Sequence, residues 1–142
     1  MPTRIADAVW EGDLVKGKGH VKTASGVLNH PYSYGTRFEG ELGTNPEELI
    51  AAAHSGCYAM ALSAMLSGAG HTVTRMAVKA AVTLDKVGDG FKITKIKLTC
   101  EGTVAGIDEK TFLEFAGKAK VGCPVSQALS ATPIELDAKL VK

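Results

Sequence analysis

The sequence contains little cysteine, and its cysteines are scattered. Cys57, Cys100 and Cys123 are too few and too far apart to form a disulfide framework, and an odd number argues against purely structural bridges. No Cys-x-x-Cys or His-x-x-x-His pattern occurs, so spacing predicts neither a zinc site nor a thioredoxin-type motif. We expect thiols of a reducing compartment, and the question is which of them reacts.

The chain also lacks an excess of charge and an export signal. Its 16 basic and 15 acidic side chains give a net charge of +1, so no long-range field attracts nucleic acid or a membrane surface. The first residues, MPTRIADAVWEGD, contain no apolar segment of signal-peptide length. We therefore expect a cytoplasmic protein with a single domain over residues 1–142, a small-molecule partner, and neither a nucleic-acid nor a membrane partner.

The longest apolar segment, residues 49–66, is predicted to form a central helix. Asn45 is suited to cap it, Pro46 to its first position, and two glycines after residue 66 to its end. Its side chains are apolar around nearly the whole circumference, so we expect the helix to be buried on all sides. A cysteine inside such a helix, here Cys57, is most often an inert small hydrophobic residue.

Alternating apolar and polar residues predict strands before and after this helix. The strand segments are residues 4–22 (two strands), 72–84, 91–104 and 132–141, and residues 24–43 are predicted as a long loop. Residues 72–84 and 91–104 are predicted to form a hairpin with its turn at 87–90, and Asp108 is predicted to cap a second helix over 108–120. Separate runs of strands with helices between them predict an α+β fold with mostly antiparallel sheets. One small sheet cannot cover a helix that is apolar on all sides, so either two sheets or a partner subunit must enclose it.

Cys123 lies in the segment GCPVSQAL, directly before Pro124. Proline suits the first position of a helix, which places Cys123 at the cap of a short helix. The unpaired amide groups and the helix dipole at that end favour a thiolate. Cys123 is therefore a candidate reactive thiol, whereas Cys100 continues a strand and is expected to be structural.

Four segments occur in a characteristic order along the chain: TRFEG at 36–40, GTNPEEL at 43–49, AAAHSGCYAMAL at 51–62 and VGCPVSQAL at 121–129. Together they resemble the OsmC/Ohr family of bacterial hydroperoxide reductases, and its osmotically inducible protein C branch in particular. The resemblance implies an OsmC/Ohr-like fold with sheets wrapped around a central buried helix, and an intertwined homodimer with two active sites at the subunit interface. It implies no metal and no other cofactor.

The resemblance also assigns roles to individual residues. Cys57 matches the cysteine that attacks the peroxide, Cys123 the resolving cysteine, Arg37 an arginine upstream of the core helix, and Glu47 its acidic partner. The implied reaction reduces alkyl or fatty-acyl hydroperoxides to alcohols through a Cys57 sulfenic acid and a Cys57–Cys123 disulfide. An external dihydrolipoyl-type thiol would reduce that disulfide, in defence against oxidative or osmotic stress.

This chemistry needs residues of these types. Attack on the O–O bond requires a thiolate, and burial raises the pKa of a thiol, so a fixed cation must lie beside Cys57. An arginine stays charged when desolvated, and a carboxylate holds its fork in place. Glu47 is free for that task because Glu48 occupies a capping position. His54 could act as a general base, although a core histidine bonded to a backbone carbonyl is the simpler interpretation.

The spacing of these residues creates a geometric conflict. Glu47 and Cys57 are ten residues apart, which is roughly 15 Å along a straight helix. One guanidinium can serve both only if Arg37 reaches along the helix from a loop, if the helix is interrupted, or if the glutamate comes from another subunit. We favour the subunit interface.

Two other functions fit the same residues. A non-enzymatic protein could hold a lipid-like ligand in an apolar cleft beside the buried helix, and its thiols would then be unreactive. A dimeric redox sensor could signal through the disulfide without turning over peroxide.

Overall fold

The computed structural model describes all 142 residues and confirms the predicted α+β fold. The elements are β1 (Ala6–Glu11), β2 (Lys18–Thr23), β3 (Asn29–Tyr32), α1 (Tyr34–Phe38), α2 (Pro46–Gly68), β4 (Thr72–Val87), β5 (Gly90–Ala105), α3 (Glu109–Gly122), α4 (Pro124–Ala128) and β6 (Ile134–Leu140). They form two compact units, an N-terminal unit (Met1–Leu49) and a C-terminal unit (Ile50–Lys142).

The N-terminal unit contains an antiparallel sheet in the order β1-β2-β3. Trp10, Gly19 and Tyr32 are register neighbours across the three strands, and the Trp10 and Tyr32 rings lie 5.4 Å apart between centroids. A Cβ atom at position 19 would lie 2.5 Å from the Trp10 ring. The glycine in β2 is therefore required by close packing of two aromatic rings over the strand.

Residues 24–43 are not the long loop that the sequence predicts, because they contain β3 and α1. A reciprocal capping box begins α1. The Thr36 amide donates to Ser33 Oγ (3.2 Å), and the Ser33 amide donates to the Thr36 hydroxyl (2.9 Å). Threonine replaces the usual glutamate or glutamine of this motif, so the common pattern does not mark the helix in the sequence. This short helix positions Arg37 in its last turn.

The C-terminal unit contains a mixed sheet in the order β4-β5-β6. β4 and β5 pair antiparallel and are joined at Gly88 and Asp89, which confirms the predicted hairpin, and β6 pairs parallel to β5. α3 and α4 connect β5 to β6. Asp108 caps α3 as predicted, accepting a hydrogen bond from the Thr111 amide (2.7 Å).

α2 is one uninterrupted helix of 23 residues. Asn45 Oδ1 accepts the Glu48 amide (2.8 Å) at its start, which confirms the predicted cap. At its end the His71 amide donates to the Leu66 carbonyl (3.0 Å), with Gly70 in the left-handed region at φ +89°. This bond and the conformation of Gly70 are those of a Schellman motif, whose left-handed position favours glycine.

Only one stripe of α2 is buried within the chain, whereas the sequence predicts burial on all sides. Its buried side chains recur every four residues in the C-terminal unit, and each is 0% exposed: His54, Tyr58, Leu62 and Leu66. Met60, on another face, is 76% exposed. The stripe packs against one sheet and α3, which leaves the remaining apolar surface uncovered in a single chain. α2 is also long and apolar enough to cross a membrane, but the core helices of soluble proteins meet the same criteria of length and composition.

We expect the core of the C-terminal unit to depend strongly on Phe112 of α3. This side chain is fully buried, and its ring packs over Gly102 of β5, where an added Cβ would lie 2.7 Å from it. Phe112→Ala should lower the free energy of unfolding in urea by about 3–5 kcal/mol. The neighbouring Leu113 is 41% exposed, so Leu113→Ala should cost under about 1 kcal/mol. Equal losses would contradict this packing.

Candidate active site

The structure brings Cys57 and Cys123 together in the C-terminal unit. Cys57 lies in the fourth turn of α2, Cys123 lies at the cap of α4, and their sulfur atoms are 2.8 Å apart. Both are free thiols. Cys123 is buried, and Cys57 is partly buried. A disulfide bond is about 2 Å long, so the two sulfurs need only a small approach to become linked.

The start of α4 gives Cys123 its environment. Pro124 occupies the first helical position and Cys123 the cap, as the sequence predicts. The sulfur does not make a conventional side-chain cap hydrogen bond, but it lies close to the amides of Val125 and Ser126. These donors favour the ionised form of a sulfur atom at this position.

The two thiols respond differently to their shared environment. Burial raises the pKa of Cys57, and its hydrogen bond with Cys123 raises it further, against a smaller lowering by the Val125 amide. Burial also acts to raise the pKa of Cys123, but hydrogen bonds from Cys57, Ser126 and Val125 outweigh it and lower that pKa. The C-terminal unit by itself therefore favours the negative charge on Cys123, and ionisation of Cys57 requires an added cation.

Arg37 and Glu47 form an ion pair in the N-terminal unit. Arg37 Nη2 lies 2.7 Å from Glu47 Oε1, and Arg37 Nε donates to both carboxylate oxygens at 3.2 Å. Glu47 is buried, and Asn45 Nδ2 donates to the Thr36 carbonyl (3.0 Å), tying α1 to the start of α2. A two-pronged contact of this kind fixes the plane of the guanidinium.

This pair resolves part of the geometric conflict in the sequence. Arg37 meets a glutamate of its own chain, so the favoured expectation of a glutamate from another subunit is wrong for this ion pair. α2 has no interruption either. The physical reason is α1, which returns the chain to the start of α2 and was not predicted from the sequence.

A cavity of about 360 Å³ adjoins Arg37 in the N-terminal unit. Aromatic rings form much of its wall: Trp10, Tyr32, Tyr34 and Phe38. The Arg37 guanidinium lies 5.2 Å from the centre of the Phe38 ring, a favourable cation–π distance. Phe38 follows Arg37 directly in the chain. The other rings come from β1, β3 and α1, and only the folded sheet brings them together.

His54 is fully buried in α2, and its Nε2 atom lies 2.7 Å from Ser126 Oγ. The predicted partner, a backbone carbonyl, is thus replaced by a hydroxyl group from α4. His54 Nδ1 has no hydrogen-bond partner. Sequence analysis missed Ser126, which is 72 positions from His54 in the chain and has no local signal of its own.

Burial lowers the pKa of His54, which predicts a specific acid sensitivity. Below the ordinary histidine pKa of about 6.5, the unfolded chain binds a proton that folded His54 resists, so stability is lost as pH falls. The free energy of unfolding of the parent should fall between pH 7 and pH 5. In His54→Gln this fall should be smaller, by at most about 1.4 kcal/mol per pH unit. Urea titrations measure this, and identical slopes for both proteins would contradict a buried neutral His54.

The family model described as OsmC-like protein matches residues 38–139. The chain belongs to the OsmC family. It is 60% identical over 134 residues to peroxiredoxin OsmC of Escherichia coli, covering 94% of this chain and 93% of that protein.

Solved structures agree with this membership of the OsmC family. The organic hydroperoxide resistance protein OhrB of Bacillus subtilis is 25% identical in sequence. Its crystal structure superposes with a TM-score of 0.69, covering 96% of this chain and 98% of that chain. An OsmC from Legionella pneumophila superposes with a TM-score of 0.74 at 24% identity, covering 100% of this chain and 98% of the other, and shows the shared fold. The chain is thus an oxidoreductase of the peroxidase class, with an antioxidant role in stress responses.

Proposed function

We propose that this chain is a thiol-dependent peroxidase that reduces organic hydroperoxides to alcohols. The observation that carries the proposal is the distance of 2.8 Å between the Cys57 and Cys123 sulfurs, on two helices of one compact unit. A reactive thiol with a second thiol in reach can pass from sulfenic acid to disulfide before a second peroxide oxidises it further.

The cycle balances without any bound cofactor. The Cys57 thiolate attacks one peroxide oxygen, which breaks the O–O bond, forms a sulfenic acid and releases an alkoxide that is protonated to the alcohol. The Cys123 thiolate then attacks the sulfenic sulfur, forming the disulfide and displacing hydroxide, which is protonated to water. Two external thiols, of the dihydrolipoyl type, reduce the disulfide by exchange.

Arg37 has the proposed role of ionising Cys57 and stabilising the leaving oxygen. Burial and Cys123 both raise the pKa of Cys57, and a guanidinium opposes that effect while donating to developing charge. Glu47 holds the guanidinium in one orientation. We propose a homodimer with two active sites at the subunit interface, in which Arg37 of one subunit serves Cys57 of the other. The uncovered apolar surface of α2, where Met60 is 76% exposed, supports such an interface.

Alkyl or fatty-acyl hydroperoxides are the proposed substrates. The cavity beside Arg37 is walled by aromatic rings, and apolar walls add affinity for an organic tail that hydrogen peroxide lacks. We further propose that residues 1–142 act as one domain in the cytoplasm; the family match over residues 38–139 supports the single domain.

A steady-state assay with cumene hydroperoxide and reduced lipoamide tests this function. We expect sustained consumption, with a kcat/KM for cumene hydroperoxide at least about tenfold above that for hydrogen peroxide. Retention of the intact hydroperoxide with unmodified thiols would instead indicate a lipid-like ligand-binding protein. A single oxidation that lipoamide does not reverse would indicate a redox sensor.

A further inference from the structure

A buried polar network continues from the cysteine pair into the protein. His54 Nε2 and Ser126 Oγ are 2.7 Å apart, and Cys123 and Cys57 sulfurs are 2.8 Å apart. His54 has no exposed surface and Ser126 is 3% exposed. Buried polar side chains destabilise a fold unless they are well bonded, so a histidine here calls for a function or a strong partner.

The hydrogen positions in this network follow from one unpartnered atom. His54 Nδ1 is buried without a hydrogen-bond partner. An N–H group without an acceptor is the rarer and costlier arrangement in protein interiors, so the proton of the neutral ring belongs on Nε2. Nε2 then donates to Ser126 Oγ. Since a hydroxyl has a single proton, Ser126 must direct its own proton to another acceptor.

We infer that this acceptor is the Cys123 sulfur, because Cys123 caps the helix α4 and Ser126 is the third residue of that helix. Ser126 lies three positions after Cys123, at the start of α4, and its hydroxyl is among the groups that lower the pKa of the Cys123 thiol. The His54 N–H then donates to Ser126 Oγ, and the inferred Ser126 O–H bond would end the chain at the Cys123 sulfur. Hydrogen bonds in such a chain polarise one another and are strongest when the terminal acceptor is charged.

We propose that His54 is a positioning residue that acts through Ser126 to hold Cys123 as a thiolate facing Cys57. The inference rests on the proposed role of Cys123 as the resolving thiol. In the resolving step this thiolate forms the S–S bond as the S–O bond of the Cys57 sulfenic acid breaks, and the hydroxide is protonated by solvent. A faster resolving step leaves less sulfenic acid for further oxidation.

The other titratable groups near Cys123 do not supply this charge control. Burial raises the pKa of Tyr58, whose hydroxyl donates to the Ala116 carbonyl (3.0 Å), so it stays neutral. Burial raises the pKa of Cys100 on β5 to about 11. Cys57 is the remaining neighbour, and its replacement by serine provides a common background in which Cys123 is the only thiol left of the pair; peptide mapping distinguishes it from Cys100.

The test measures the pH dependence of Cys123 alkylation by iodoacetamide in the Cys57→Ser background, with peptide mass spectrometry to locate the adduct. Ser126→Ala and His54→Leu should each raise the midpoint by about one pH unit, because each removes a hydrogen bond that stabilises the thiolate. The double variant should show no further shift, since His54 acts through Ser126. His54→Gln keeps an N–H donor near Nε2 and should stay close to the parent.

An unchanged midpoint in Ser126→Ala and in folded His54→Leu would overturn the proposal. So would equal shifts in His54→Gln and His54→Leu, because they would indicate a packing effect and not a donor. Thermal melting establishes folding, and Ser126→Ala alone still decides if His54→Leu does not fold. The readout needs no peroxide, so the inference can fail while the peroxidase assay succeeds, and the reverse is also distinguishable.

With Cys57 present, the same variants should raise the yield of Cys57 sulfinic acid per equivalent of peroxide. The increase should be larger at pH 6 than at pH 9, where Cys123 ionises without assistance. A sulfinic acid yield equal to the parent at both pH values would count against the proposal.

Discussion

Cys57→Ser is expected to abolish peroxide consumption, and Cys123→Ser is expected to support a single turnover followed by inactivation. The first variant lacks the sulfur that receives oxygen, so no later step can occur. The second still forms the sulfenic acid, but no thiol lies 2.8 Å away to condense with it, and excess peroxide converts it to sulfinic acid. Stopped-flow measurement of cumene hydroperoxide, with lipoamide present and absent, separates the two outcomes.

Cys100 supplies the matched control for these variants. It is buried on β5, with its sulfur 3.4 Å from the Met76 sulfur, and its raised pKa keeps it protonated. Cys100→Ser should therefore consume peroxide at the parent rate. Sustained turnover by Cys57→Ser, or multiple turnovers by Cys123→Ser, would contradict the assigned roles.

Arg37→Met should lower kcat/KM by about 10²–10³-fold, the range for loss of one preorganised electrostatic donor. Arg37→Lys should recover only part of this, because an ammonium cannot reproduce the contacts of Nε and Nη2 with Glu47. Arg75→Met on β4, where the side chain is exposed, is the control and should keep parent activity. Arg37→Met alone leaves the buried Glu47 carboxylate unpaired. The double variant Arg37→Met/Glu47→Gln removes that charge, so comparing the two variants tests whether lost activity reflects misfolding.

Mixed dimers test where Arg37 acts. Neither Arg37→Met nor Cys57→Ser homodimers should be active, but a co-refolded mixed dimer contains one site with both native residues if Arg37 serves the other subunit. We expect such dimers to regain about half of the parent activity. No recovery in purified mixed dimers would contradict action across the interface.

Local sequence patterns are sufficient to predict much of the fold. The Asn45 cap, the Asp108 cap, the hairpin at Gly88 and the position of Cys123 before Pro124 are each determined by a few adjacent residues. Such features depend on backbone chemistry that neighbouring side chains specify directly. They were correctly predicted for that reason.

Features that depend on distant or unusual contacts were not predicted. α1 begins with Ser33 and Thr36, a capping box without the usual acidic residue. Ser126 gains its importance from His54, which lies on another helix. Neither carries a periodic or compositional signal that a sequence pattern would detect.

The α2 helix shows why composition alone overstates burial. Its side chains are apolar around the circumference, yet only one stripe, which includes Tyr58 and Leu62, is fully covered within the chain. An apolar helix surface indicates that the helix is covered, but it does not specify whether the same chain or a partner covers it. The proposed dimer accounts for the remainder.

Mass spectrometry after addition of one equivalent of cumene hydroperoxide to the reduced protein tests the central claim most directly. The account predicts one disulfide, between Cys57 and Cys123 of the same polypeptide, with Cys100 still a free thiol. A protein in which Cys57 and Cys123 remain unlinked, or in which either is joined to Cys100, would contradict it.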